Sequence, residues 1–114
     1  FLATNGIADV QRGRLKVSGV SHFFKDIFIS EELGWQKPDT RYFSAMLERS
    51  NLSGEKSRCL MIGDSPESDI RGAMDSGIDS IWYNPHTREI PPGIGATYTV
   101  TQLETILDLL TAPV

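Results

Sequence analysis

The residues whose types and spacing could do chemistry fall in three places along the chain. In Cys59-Leu60-Met61-Ile62-Gly63-Asp64-Ser65-Pro66-Glu67-Ser68-Asp69-Ile70, two aspartates follow a short apolar run. A hard cation such as Mg²⁺ takes a few carboxylate oxygens and keeps several waters, which Asp64 and Asp69 could supply. On this stretch alone a second reading stays open, in which Asp64 caps a helix and Asp69 is a solvated helix residue. The other two places are Thr4-Asn5-Gly6 and Lys37-Pro38-Asp39. A hydroxyl, backbone amides near a helix start and a lysine make a cradle for an anion. An anion cradle with a cation site is what phosphoryl transfer needs, because the catalyst mostly holds the phosphate and neutralises its charge.

Positioning these groups requires strands that end where the polar residues begin. Cys59 to Ile62 reads as a buried strand, with Gly63 as the sharp turn after it, Ser65 as N-cap and Pro66 at the first helical position. Phe1-Leu2-Ala3-Thr4 reads as the end of a strand that stops at the turn signal Asn5-Gly6. A helix follows, with Ile7, Val10 and Val17 on one face, Gln11, Arg12, Arg14 and Lys16 outward and Gly19 as its stop. Ile27-Phe28-Ile29 is a strand, and Ser30 to Gln36 a polar loop. Pro38 keeps Lys37 out of helical geometry, and Asp39 caps a helix that buries Phe43, Met46 and Leu47. Ile70, Ala73 and Met74 face inward on the next helix, which ends at Gly77. Ile81-Trp82-Tyr83 is a strand, Asn84 to Gly95 a loop with three prolines, and Thr97 to Val100 a last strand. Thr101-Gln102-Leu103-Glu104 forms a capping box for a helix with Leu103, Ile106, Leu107 and Leu110 inward. Alternating strands and helices predict an α/β fold with a parallel sheet covered on both faces, and the carboxyl ends of its strands are where ligands bind.

Composition narrows the function classes. The chain has 114 residues, a net charge of −4 and one cysteine, Cys59. It is at most one domain, small for an α/β enzyme. The absence of a basic block argues against a nucleic-acid partner. A single cysteine permits no intrachain disulfide and suits a reducing, cytoplasmic setting. No apolar run reaches membrane-spanning length, and no signal peptide is recognisable in Phe1-Leu2-Ala3.

In order and spacing, Thr4-Asn5-Gly6, Lys37-Pro38-Asp39 and Gly63-Asp64-Ser65-Pro66-Glu67-Ser68-Asp69 resemble motifs two, three and four of the haloacid dehalogenase superfamily. The resemblance runs over nearly the whole chain, with further similarity in Ile29-Ser30-Glu31-Glu32 and in Gly72-Ala73 through Gly77. Trp82-Tyr83-Asn84, with Arg88-Glu89 beyond, resembles the pyrimidine 5′-nucleotidase subgroup. The resemblance implies a Rossmann-like core and a Mg²⁺ cofactor. By position it implies that Thr4 hydrogen-bonds the phosphoryl group with help from the amides of Asn5 and Gly6. It further implies that Lys37 offsets charge on phosphate and nucleophile, and that Asp64 ligates Mg²⁺ while Asp69 acts on it directly or through water.

The family's first motif, Asp-x-Asp, with the nucleophile and the acid/base aspartate, is absent from these residues, as is the cap domain. Asp9, Asp26, Asp39, Asp75, Asp79 and Asp108 lie in the wrong kind of segment to replace it. The expectation is that residues 1–114 are the C-terminal part of such a core, lacking its first central strand. An unfilled central slot would leave buried backbone groups unpaired at ~1–3 kcal/mol each, so self-association of the chain is expected. The expected activity of the parent enzyme is phosphomonoester hydrolysis through an aspartyl-phosphate, on a small phosphorylated substrate such as a nucleoside 5′-monophosphate. This chain alone is expected to be inactive. The alternative is a non-catalytic α/β module that binds phosphate or metal and acts through a partner.

Overall fold

A computed structural model describes residues 1–111. The chain divides into two compact units, Phe1–Gly54 and a second beginning at Glu55. Both are α/β, with parallel strands flanked by helices.

In the first unit, strand β1 (Leu2–Thr4) pairs in parallel with β2 (Ile27–Ile29), Leu2 opposite Ile27 and Thr4 opposite Ile29. The crossover between them carries helix α1 (Ala8–Ser18), closed by Gly19 in the left-handed region at φ 70° as its type and position predict. The apolar face expected on α1 is not buried: Ile7, Val10 and Val17 are exposed, Val17 at 90%. Three apolar residues spread over so many turns make too narrow and discontinuous a stripe to seat a helix. The segment expected as a plain loop after β2 instead contains a single helical turn, α2 (Ser30–Leu33), which buries Leu33 and ends at Gly34 with φ 90°. Helix α3 (Thr40–Arg49) starts as expected from Asp39, whose carboxylate accepts from the Arg41 backbone N–H. Phe43 and Leu47 are buried, and Tyr42 joins them with its hydroxyl donating to the Phe28 carbonyl at 2.7 Å. With Phe28, Ile29 and Leu33 these residues form the unit's core.

In the second unit, β3 (Leu60–Gly63), β4 (Asp79–Tyr83) and β5 (Tyr98–Val100) form a parallel sheet in that order. Cys59 lies just before β3 rather than within it, and its backbone N–H closes a preceding 3₁₀ turn on Lys56. After β3 the chain makes a π turn over Pro66–Ile70 and then helix α4 (Arg71–Asp75). Ile70 and Ala73 are buried as expected, but Met74 is 38% exposed. One apolar cluster joins Ile70, Trp82 and Ile94, and another joins Ile81, Val100 and Ile106. Helix α5 (Glu104–Thr111) begins two residues later than a capping box at Thr101 requires, so Glu104 is its first residue rather than its third. Ile106 packs with Ile81 and Val100 as expected and Leu109 lies partly buried against them, while Leu103, Leu107 and Leu110 are exposed, against expectation.

Among the described residues β1 and β3 are each paired along one edge only, β1 with β2 and β3 with β4. No helix among the described residues is long and apolar enough to cross a membrane.

Candidate functional site

The first unit gathers Thr4, Asn5, Gly6 and Lys37 at the carboxyl end of β1. Gly6, at φ 152°, lets the chain leave the strand and enter α1. Lys37 is 32 residues from Asn5 in sequence, yet Asn5 Nδ2 donates to the Lys37 carbonyl at 3.0 Å. In return the Lys37 backbone N–H donates to Asn5 Oδ1 at 2.9 Å. The Lys37 side chain is buried, and its ammonium donates to the Ala3 carbonyl at 3.1 Å. This places the cation one residue from Thr4 along β1. Lys37-Pro38 is a cis peptide in a turn closed by Asp39 N–H on the Gln36 carbonyl. The loop thus presents Lys37 outside helical geometry, as Pro38 predicts.

Two residues that sequence reasoning missed complete this cradle. Gln11, expected to face outward on α1, instead turns back, and its Nε2 donates to Thr4 Oγ1 at 2.7 Å and to the Asn5 carbonyl at 2.9 Å. No spacing in the sequence marks this reach, which depends on how the chain turns from Gly6 into α1. Ser30 is buried, and its Oγ accepts from the Gly6 backbone N–H at 2.8 Å and donates to the Gly6 carbonyl at 3.2 Å. The Gly6 amide that was expected to meet a phosphate is therefore engaged with a hydroxyl here. The Thr4 hydroxyl accepts from Gln11 and donates to the Asn5 carbonyl at a longer 3.3 Å.

The second unit brings Asp64 and Asp69 into one turn. Asp64 follows β3 and is exposed, while its backbone carbonyl accepts from the buried Trp82 indole Nε1 at 3.0 Å. Asp69 is buried, and its Oδ2 accepts from the Ser65 backbone N–H at 3.2 Å. Ser65 caps the turn as expected, its Oγ accepting from the Ser68 N–H at 3.2 Å. The Ser65 carbonyl accepts from both Asp69 N–H and Ile70 N–H, the second being the longer-range bond of a π turn. Gly63 is needed because a Cβ there would overlap the Asp69 carboxylate. Asp69 therefore shapes the turn, while Asp64 presents its carboxylate outward.

Among the described residues no group of three or more histidine, cysteine, aspartate or glutamate side chains is placed to hold a metal. Asp64 nevertheless fits a Mg²⁺ role in kind: an exposed hard oxygen donor, fixed through its backbone, for a cation that keeps much of its water.

The profile of the family described as haloacid dehalogenase-like hydrolase matches residues 1–83. The chain is 43% identical over 111 residues to pyrimidine 5′-nucleotidase PynA of Streptococcus pneumoniae, spanning 96% of this chain and 46% of that protein. It is 40% identical over 109 residues to pyrimidine 5′-nucleotidase YjjG of Escherichia coli, spanning 96% and 48% respectively. Among solved structures, the magnesium-bound HAD-hydrolase YfnB of Bacillus subtilis superposes with a TM-score of 0.88 at 42% identity, covering 96% of this chain and 47% of that one. The chain spans about half the length of the curated relatives it matches. With three motifs in family order and the family profile running through the first two strands and on to the end of β4, the chain belongs to the haloacid dehalogenase-like hydrolases.

Proposed function

We propose that residues 1–114 form the C-terminal core part of a phosphomonoesterase acting on nucleoside 5′-monophosphates. The observation that carries this reading is the two-point grip of Asn5 on the Lys37 peptide, which holds a buried lysine beside Thr4 at a strand end. The names of the relatives PynA and YjjG support the nucleotide as substrate class.

In this reading the Thr4 hydroxyl donates a hydrogen bond to a phosphoryl oxygen, a stronger acceptor than the Asn5 carbonyl it now meets at 3.3 Å. Gln11, donating to Thr4 Oγ1, keeps the hydroxyl oxygen in place while its proton points away. Lys37 brings a desolvated positive charge to offset charge that builds up on the phosphoryl oxygens and on the attacking group. The backbone amide of Asn5 takes part in the same cradle. Asp64, with Asp69 behind it, would hold Mg²⁺, which when bound supplies electrostatic stabilisation of the phosphoryl oxygens. The nucleophile is an aspartate outside these residues, giving an aspartyl-phosphate that water cleaves. The chain by itself is then inactive, and it self-associates through its singly paired strand edges.

Phosphate release from UMP in Mg²⁺ buffer tests the reading. The 114-residue chain is expected to release none above background, and the full-length protein to do so. Lys37→Ala in the latter is expected to lower kcat by about 100-fold or more, consistent with loss of one transition-state electrostatic partner. Turnover by the chain alone, or an unaffected Lys37→Ala enzyme, would refute it.

A further inference from the structure

Beside the cradle lies an open groove of about 490 Å³, lined by Gly6, Ser30, Glu31, Trp35, Gln36 and Asp39 among others. Its volume is in the range of sites that enclose a nucleoside-sized ligand. Gly6 follows β1 and Ser30 follows β2, so the groove opens at the carboxyl ends of both strands, where α/β folds take their ligands.

Trp35 is the unexplained feature of this groove. A tryptophan is usually buried for its large apolar area, yet this one is 39% exposed and absent from the unit's core. Gly34, in the left-handed region at φ 90°, ends α2 and turns the chain so that Trp35 leaves the packed side. The ring is also braced. The Arg41 guanidinium stands 5.8 Å from its centroid and is itself pinned to Asp39, Nη2 to Oδ2 at 2.7 Å. Arg41 does not line the groove, so the cation supports the indole without filling the space beside it. A braced, half-exposed aromatic plane is a stacking platform, and every nucleobase offers it a π face.

The polar lining fits the rest of a nucleoside and not a second phosphate. Glu31 places a carboxylate along the groove, which repels phosphate but accepts from sugar hydroxyls, while the Asp39 carboxylate is taken up by Arg41. Glu31 is held in place by the Ala8 N–H at 3.0 Å. Gln36 adds an amide that both donates and accepts, as the hydrogen-bonding edge of a pyrimidine requires.

We infer that Trp35 stacks the nucleobase of a nucleoside monophosphate whose phosphate lies at Thr4 and Asn5, making Trp35 a specificity residue of the site. This rests on the phosphate-holding role given above to the Thr4–Asn5 loop. The test is an amide and indole NMR titration of the 114-residue chain with UMP and with ribose 5-phosphate. The Trp35 indole signal is identified by its loss in Trp35→Phe. UMP is expected to shift both the Asn5 amide and the Trp35 indole, and ribose 5-phosphate the Asn5 amide alone. Trp35→Ala is expected to weaken UMP by about tenfold, the worth of a single stacked base, and to leave ribose 5-phosphate unchanged. Trp35→Phe should retain most of the UMP affinity. A UMP shift at Asn5 without one at Trp35, or equal weakening of both ligands by Trp35→Ala, overturns the inference and leaves the phosphate role standing. No shift at Asn5 with either ligand overturns both.

Discussion

The carboxamide of Asn5 grips the Lys37 peptide unit from both sides, donating to its carbonyl at 3.0 Å and accepting from its N–H at 2.9 Å. No other residue type of this size both donates and accepts in so compact a plane. Asn5→Ala removes both bonds and leaves two backbone groups of a buried residue without them. The expected loss of stability is about 1–3 kcal/mol, read as a lower urea midpoint at unchanged slope. Asn5→Asp keeps the acceptor but sets a carboxylate against the Lys37 carbonyl, and is expected to destabilise at least as much. In the full-length enzyme both variants should lower kcat, since they release Lys37 from beside Thr4.

Gly63 and Asp69 share one volume. A Cβ at position 63 would overlap the Asp69 Cβ and carboxylate, all of which belong to a buried residue with no room to retreat. Gly63→Ala is therefore expected to cost about 2 kcal/mol or more, as overpacked sites do. The predicted signature is specific: the Ser65 amide, now bonded to Asp69 Oδ2, should lose its hydrogen-exchange protection before the amides of β3 do.

How much of this was legible in the residues follows from what each signal encodes. Local chemistry was readable: Asp39 and Ser65 as caps, Gly19 as a stop and Pro38 as the turn at Lys37 all act within a few residues. The three motifs marked the loops that carry Thr4, Lys37 and Asp64. Burial was less readable, because an apolar residue is buried only if something lies against it. Val17 and Leu107 carry the right character at helical spacing, yet both stand exposed. Side-chain reach was least readable. Gln11 on an exposed helix looked solvated, and its bonds to Thr4 and Asn5 depend on how α1 leaves Gly6, which no spacing rule reports. The π turn at Pro66–Ile70 was hidden for a related reason, since only the bond from the Ile70 N–H back to the Ser65 carbonyl distinguishes it from an ordinary helix start.

Asp39 gives the first helix of the motif-three region an acid sensitivity. Side-chain and then backbone hydrogen bonds from Arg41 hold its carboxyl below the usual value of 3.8. A depressed folded-state pKa means that the cap and ion pair contribute fully above that value, and that the contribution disappears as pH falls through the folded pKa. Both groups are solvent-exposed, so the effect is expected to be small, local and weakened by salt. The measurement is an acid titration of the Arg41 amide and Nε resonances. Both should move together below pH 4 in the parent chain, and in Asp39→Asn, which keeps an acceptor at the N-cap, the movement should vanish.

Trp82 ties the Asp64 turn to the sheet. It lies opposite Gly63 in the β3–β4 ladder, is 3% exposed, and packs on Ile70 and Ile94 while its indole N–H holds the Asp64 carbonyl. Trp82→Phe removes that bond and part of the packing, at an expected cost of about 2 kcal/mol. Its effect on Mg²⁺ separates fixing of Asp64 from simple core packing. Millimolar Mg²⁺ is expected to raise the calorimetric Tm of the parent chain by preferential binding to the folded state. Asp64→Asn should abolish the rise while leaving the metal-free Tm nearly unchanged, because the Asp64 side chain is exposed and its structural bond is made by the backbone. Asp69→Asn should lower the metal-free Tm as well, since the Ser65 N–H depends on its carboxylate. Trp82→Phe should show both a lower Tm and a smaller Mg²⁺ increment. An Ile94→Val variant of similar instability should keep the full increment, and if it instead loses as much as Trp82→Phe, the indole does no more than fill the core.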